Sequence, residues 1–193
     1  MFKWLKSFLF PSQPASTTPR PQLEMIRDHL DDLPKIHIPE GYAVRTYRVG
    51  DEPAWCRIME GQVGENWTIE KCRERLTHNE RFKPENLFFI TYADSPVAST
   101  CAWTSDKVSP DIGLVHMVAA LPEHHGKGLG HLLNALVLHR LHELGYKRAY
   151  LLTDDWRLAA IKSYLRAQFR PLNTHESHPE RWEKIFEKLG IEQ

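Results

Sequence analysis

The 193-residue sequence lacks a net charge, because 25 lysines and arginines balance 25 aspartates and glutamates. This balance creates no overall field toward nucleic acid or an anionic membrane, so we expect a small or locally recognised partner and no nucleic acid. Cysteine is scarce: Cys56, Cys72 and Cys101 are the three, with no C-x-x-C pair. An odd number without metal-ligand spacing argues against a disulfide framework and a zinc cluster. We therefore expect a reducing, cytoplasmic setting and no bound metal.

Long apolar runs are also missing from the sequence. No stretch reaches the roughly 18 to 20 apolar residues that a membrane-spanning helix requires. Residues 1–10 contain six large apolar side chains around Lys3 and Lys6, but this run is too short for the apolar core of a secretory signal. Three interpretations stay open for it: a mobile end, a weak interfacial contact with a membrane, or a cover on this domain or on a partner protein.

Four prolines among serines and threonines follow between residues 11 and 21, which is typical of an extended linker. We predict an apolar segment and linker over residues 1–22 and one compact domain over residues 23–193. The oligomeric state is not indicated by the sequence. Periodicity and turn signals then predict these elements: a helix over 23–33, a strand over 42–49, a helix capped by Asp51 and ending at Met59, a helix over 68–76, a hairpin of strands 87–92 and 97–104, a strand over 112–120, a long helix that Gly145 terminates, a strand over 149–153, a helix over 157–167, a short strand or extended piece from Pro171 and a helix from Pro179.

The stretch Ile112–Gly145 carries the strongest functional signal. An apolar run that predicts a buried strand is followed by three glycines at alternate positions, Gly126, Gly128 and Gly130, and then by the apolar stripe of a long helix. Glycines at such a junction let the backbone approach a ligand closely. The free N–H groups and the positive dipole end of the following helix favour an anion. A phosphorylated ligand is therefore predicted at this junction.

Spacing separates the phosphate-binding motifs that compete for these glycines. A P-loop needs Ser or Thr after its lysine, but Lys127 is followed by Gly128, so a nucleotide triphosphatase is disfavoured. The dinucleotide fingerprint G-x-G-x-x-G fails because Gly130 comes one position early. Asp154 and Asp155 do end the next predicted strand, as that fingerprint requires, so a dehydrogenase remains an alternative.

The segment L-P-E-H-H-G-K-G-L-G resembles motif A of the GNAT N-acetyltransferase superfamily, in which backbone amides bind the pyrophosphate of acetyl-CoA. His125 stands where that family has Arg or Gln. A second segment, from Arg157 through Ala160, Ile161 and Tyr164 to Phe169, resembles the family's motif B, with Arg157 in the place of an Asn and Gln168 in the place of a Gly. The order of predicted elements resembles the GNAT fold over about residues 42–175.

This resemblance implies an α/β fold: a mixed, mostly antiparallel twisted sheet with a central parallel βαβ unit and flanking helices. It implies acetyl transfer from acetyl-CoA to a primary amine, with Tyr164 as the acid that protonates the leaving thiolate. The residues that would contact acetyl-CoA under this resemblance are Val118, Ala119, Ala120, His125, Gly126, Lys127, Gly128, Leu129, Gly130, His131 and Arg157. A non-catalytic CoA-binding sensor or interaction module on the same fold is the alternative.

The catalytic base is the least defined part of the predicted site. Aligning on the glycines places Leu114 where many family members have a carboxylate. His116 lies two residues on, on the same face of the strand, and an imidazole can take a proton near neutral pH. The resemblance also implies that a loop before the hairpin borders the acceptor, and its residues Glu60, Glu65, Asn66 and Trp67 either select a cationic amine or are ordinary solvated loop residues. The histidines between 124 and 142 lack the carboxylate or thiol that would complete a metal-ligand set.

Overall fold

The computed structural model describes residues 20–192, so the predictions for the apolar segment and for most of the linker lie outside the described residues. Seven strands and five helices form this part of the chain. In chain order they are β1 (Leu23–Arg27), β2 (Tyr42–Thr46), α1 (Glu52–Met59), α2 (Ile69–Cys72, continued by a π-helical turn Arg73–Thr77), β3 (Leu87–Tyr92), β4 (Ser95–Trp103), β5 (Ile112–Ala120), α3 (Leu129–Glu143), β6 (Arg148–Thr153), α4 (Leu158–Arg166), β7 (Arg170–Leu172) and α5 (His178–Leu189).

The seven strands form one sheet in the order β2-β3-β4-β5-β6-β1-β7. Every neighbouring pair is antiparallel except β5 and β6, which are parallel and are joined by α3. A parallel pair requires such a crossover, and the helical stripe after the glycines supplies it. The predicted fold class, a mostly antiparallel sheet around a central βαβ unit, is confirmed.

The predicted leading helix over residues 23–33 is wrong, because Leu23–Arg27 is a strand. It pairs antiparallel with β6 on one side, where Leu23 faces Thr153, and with β7 on the other. Arg27 at its end is buried, and its guanidinium donates hydrogen bonds to the carbonyls of His29, Asp32 and Ala167. Since these partners satisfy the buried donors, the arginine fixes the end of the strand.

The core lies on both faces of β4. The six consecutive residues from Val97 to Ala102 are all buried, and successive side chains of a strand point to opposite faces. Helices α1 and α3 both pack against β4 and β5, and α3 also contacts α4. Within residues 20–192 no helix is long and apolar enough to cross a bilayer.

Two predicted helix ends can be compared with the structure. Gly145 follows α3 with φ of +87°, as the stop signal predicted. Asp51 precedes α1, but the prediction that its side chain caps the helix is wrong. Its carboxylate instead accepts hydrogen bonds from the Arg45 guanidinium and the Arg48 backbone N–H.

Candidate active site

The sheet opens between β5 and β6. The parallel ladder joins Ile112–Leu114 to Arg148–Tyr150, whereas β5 stays paired with β4 as far as Ala120. Between the pairs Ser99–Ala119 and Cys101–His116, β5 has one residue more than β4, and Met117 within this stretch has φ of +55°. Such a bulge bends a strand and redirects its peptide groups. The last residues of β5 therefore border an opening in the sheet rather than a neighbouring strand.

The direction of the β5 peptide groups follows from one hydrogen bond. The Leu121 N–H donates to the Val97 carbonyl, 2.8 Å away on the β4 side. Peptide groups of consecutive residues alternate between the two sides of a strand. The N–H groups of Ala120 and Val118 therefore point away from β4, into the opening.

The predicted glycine cradle lies beside this opening, at the start of α3. Gly126 and Gly128 have φ of +74° and +80°, a region that side chains with a Cβ rarely adopt. A Cβ added at either position would meet no protein atom within 4 Å, so the space over these two glycines is open to a ligand. A Cβ at Gly130 would lie 3.3 Å from the Ser163 Oγ, because α3 and α4 pack closely there.

A cavity of about 580 Å³ joins the cradle to the opening in the sheet. Of the eleven residues predicted to contact the cofactor, ten line this cavity and one, Lys127, does not. The ten are Val118, Ala119, Ala120, His125, Gly126, Gly128, Leu129, Gly130, His131 and Arg157. His125 uses its Nε2 for a 2.9 Å hydrogen bond with the Ala120 carbonyl.

Arg157 and Tyr164 are neighbours in the cavity wall. The Arg157 Nη2 donates a 2.6 Å hydrogen bond to the Val118 carbonyl. Tyr164 is 2% exposed, and its ring packs edge-on against Phe169 at 6.1 Å between centroids. Burial raises the pKa of the Tyr164 hydroxyl, while the neighbouring Arg157 guanidinium opposes that rise. The phenol is therefore protonated at neutral pH and available as a proton donor.

His116 lies on β5 before the bulge and is not part of the described cavity wall. Its ring packs against Trp103, with centroids 5.5 Å apart. Burial lowers the pKa of the imidazole to about 4, so the ring is neutral at physiological pH. Its role as a base stays a prediction.

The loop after α1 contributes a residue that sequence reasoning missed. Gln62 lines the cavity, whereas Glu60 folds the loop: its carboxylate accepts hydrogen bonds from the backbone N–H groups of Asn66 and Trp67. Trp67 packs edge-on against the buried Trp55. Glu60 therefore organises the loop, and no signal in the sequence singled out Gln62.

Other wall residues were also missed. His124 lines the cavity and shares a 2.9 Å hydrogen bond with the Tyr42 hydroxyl. Trp156 is 62% exposed at the cavity. Lys162 and Arg166, together with Ser163, belong to the wall from α4. Lys162 and Arg166 are four positions apart on α4, and this spacing of two cations was the signal that could have found them.

The charges of the wall have one sign. Arg157, Lys162 and Arg166 are its permanently cationic residues, and no aspartate or glutamate occurs among the described residues that line it. The dipole of the 15-residue helix α3 adds its positive end at Gly128. The cavity therefore suits a ligand with several negative charges.

The family model of the acetyltransferase (GNAT) family matches residues 52–169. The chain belongs to this family. Proteins named mycothiol acetyltransferase are similar to this chain. The one from Thermomonospora curvata is 33% identical over 150 residues, which cover 74% of this chain and 49% of the relative. For Geodermatophilus obscurus the identity is 31% over 151 residues, covering 72% and 48%. The chain thus spans about half the length of these relatives.

Solved GNAT structures share the fold. A GCN5-related N-acetyltransferase from Sphaerobacter thermophilus superposes with a TM-score of 0.63 at 23% identity, covering 79% of this chain and 50% of that one. A protein from Mycobacterium tuberculosis, solved in complex with CoA, gives a TM-score of 0.54 at 18% identity, covering 75% and 81%. These likenesses show that the fold is shared.

Proposed function

We propose that this protein transfers the acetyl group of acetyl-CoA to a primary amine. The observation that carries the proposal is the cavity itself: it connects an anion cradle to unpaired strand N–H groups, and its described wall has cations but no carboxylate. CoA combines a polyanionic nucleotide with an amide-containing arm. The cradle suits the first part and the edge of β5 suits the second.

Binding is assigned to the residues of the cradle and the opening. The backbone N–H groups from Gly126 to Gly130 and the start of α3 hold the pyrophosphate. Peptide groups of Val118–Ala120 hold the arm, since those facing the opening lack a neighbouring strand. His125, Leu129, His131 and Arg157 shape the walls. Lys127 belongs to the cradle in sequence but does not line the cavity, so its contact with a CoA phosphate stays a prediction.

The chemistry follows from the groups near Val118. A neutral amine attacks the thioester carbonyl carbon, and the developing oxyanion is stabilised by N–H groups of the β5 edge. The carbon–sulfur bond then breaks, and Tyr164 donates its proton to the departing thiolate. The proton lost by the amine goes to His116 or to water, and in time restores the phenol.

The acceptor is proposed from the relatives alone. Proteins named mycothiol acetyltransferase match this chain at about 30% identity, so amines of the mycothiol type belong in the first panel of acceptors. Because the chain spans about half of those proteins, small amines, amino acids and peptides belong in the same panel.

One assay tests the proposal. Purified protein is mixed with acetyl-CoA and each amine, and both free CoA thiol and the mass of the acetylated amine are measured. We expect amine-dependent thiol release with a matching acetylated product. CoA binding by calorimetry without transfer to any amine would favour the non-catalytic module, a candidate supported by the missing carboxylate base. Thermal stabilisation by NAD and not by acetyl-CoA would favour a dehydrogenase instead.

A further inference from the structure

Two cations on α4 line the cavity, Lys162 and Arg166. Lys162 and Arg166 lie one helical turn apart, so their side chains share one face of the helix. Within residues 20–192 neither forms an ion pair, whereas Arg148, Arg170 and Arg181 all do. Both side chains are exposed, which leaves them free to move toward a ligand.

Their position relative to the cradle is fixed by Ser163. This residue contacts the first turn of α3, where a Cβ on Gly130 would lie 3.3 Å from its Oγ. The same Oγ accepts a 2.9 Å hydrogen bond from Asn134, which is 1% exposed on α3. Lys162 and Arg166 stand on either side of Ser163 in the chain. They are therefore held on the α4 side of the cradle, next to the site assigned to the pyrophosphate.

The covalent structure of CoA limits what can lie there. Its pyrophosphate joins the amide-containing arm on one side and an adenosine with a 3′-phosphate on the other. The arm takes the opening toward Val118, where it meets the thioester chemistry. The adenosine must leave the cradle in another direction, and the α4 face with Lys162 and Arg166 offers it a cationic wall beside the cradle.

We propose that Lys162 and Arg166 bind the 3′-phosphate of CoA and make the protein prefer CoA to dephospho-CoA. This inference rests on the proposed function, because it takes CoA as the ligand. A phosphate monoester is dianionic near neutral pH, and two cations one turn apart can contact it together. Two other basic residues near the cradle are less suited to the 3′-phosphate. Lys127 does not line the cavity, and His131 belongs to the first turn of α3, beside the site assigned to the pyrophosphate.

Calorimetry with CoA and dephospho-CoA tests this directly. The wild-type protein should bind CoA about tenfold more tightly, as expected for two partly solvated charge pairs. Lys162→Ala and Arg166→Ala should each reduce that ratio, and the double variant should bind both compounds alike. The preference should also weaken at high salt, because both cations are exposed. Dephospho-CoA should bind the double variant and the wild type with similar affinity.

Lys188→Ala is the matched control, since Lys188 is an exposed lysine on α5 outside the cavity wall. It should leave the ratio at its wild-type value. Equal binding of CoA and dephospho-CoA by the wild-type protein would overturn the 3′-phosphate site and leave the proposed function intact. A preference that survives in the double variant would also overturn it. Absence of binding by either compound would instead refute the proposed function.

Discussion

Arg157 donates a hydrogen bond to the carbonyl of Val118 and so connects the start of α4 to β5 across the opening in the sheet. In a closed parallel sheet, a backbone N–H of β6 would be the natural partner of that carbonyl. Here the guanidinium replaces it and leaves the adjacent N–H groups of β5 free. Arg157 is thus a bridge that keeps the opening at a fixed width.

This bridge predicts the result of Arg157→Gln. Loss of the hydrogen bond from this charged donor leaves the Val118 carbonyl without its partner and should lower the free energy of unfolding by about 1–3 kcal/mol. We expect the KM for acetyl-CoA to rise at least about fivefold, because the width of the opening is no longer fixed. Arg148→Gln is the control: Arg148, at the start of β6, forms an ion pair with Asp111, and neither residue lines the cavity. An Arg157 variant with unchanged kinetics would show that the bridge is not needed.

The cradle predicts a difference between two glycines with the same backbone conformation. Gly128 and Gly145 have φ of +80° and +87°, and a Cβ at either would meet no protein atom within 4 Å. Alanine at either position should therefore cost a similar free energy of unfolding, about 1 kcal/mol. CoA affinity, measured by calorimetry, should fall in Gly128→Ala and stay unchanged in Gly145→Ala. Equal affinities in the two variants would contradict the assignment of the cradle.

Tyr164→Phe removes a hydroxyl and keeps the packing against Phe169. If the phenol protonates the leaving thiolate, kcat should fall at least about tenfold, with little change in acetyl-CoA binding. Tyr150→Phe is the control, because Tyr150 is a partly buried tyrosine on β6 outside the cavity wall. Turnover should be measured by single-turnover kinetics, so that product release does not mask the chemical step. An unchanged rate there would remove Tyr164 from the mechanism.

His116 predicts a dependence of stability on pH. Burial lowers the pKa of its imidazole from 6.5 to about 4, so below pH 6.5 the unfolded chain binds a proton that the folded protein does not. Its stabilising contribution is present above pH 6.5 and is lost as the pH falls toward 4. The melting temperature of the wild type should drop more steeply than that of His116→Gln between pH 7.5 and 4.5. Parallel curves would show that His116 titrates normally.

The same residue gives a test of the catalytic base. A base with a pKa of about 4 is active when neutral, so kcat/KM limited by His116 would decline only as the pH falls through about 4. His116→Gln should then lower kcat. A wild-type rate in this variant, with thiol release still dependent on the amine, would assign the proton to water.

The sequence predicted most of the sheet but not its first strand. Met25, Ile26, Leu30 and Leu33 have helical spacing, and local periodicity therefore favoured a helix. The strand forms because β6 and β7 leave a place between them, and both partners lie far along the chain. Such a tertiary preference for a short segment has no local signature.

The candidate site could be predicted best where it depends on the backbone. Glycines, a buried strand and a helix start are visible as a pattern, and ten of the eleven residues that the family resemblance implied as cofactor contacts line the cavity. Side chains that reach the cavity from elsewhere were not visible. The position of Gln62 at the cavity and the bulge at Met117 depend on how separate elements pack. Packing between elements that are distant in sequence leaves no local pattern in the sequence.

The position of β1 has a consequence for how the chain folds while it is being synthesised. The strand is among the first described residues to leave the ribosome, yet the carbonyl of Ala167 that its buried Arg27 binds lies 140 positions later. Until β6 and β7 have been synthesised, Leu23–Arg27 has neither of its partner strands. Arg27 then also lacks the Ala167 carbonyl as a hydrogen-bond acceptor. Such long-range pairing slows folding and exposes strand edges meanwhile. A chain that stops before β7 therefore cannot complete its sheet.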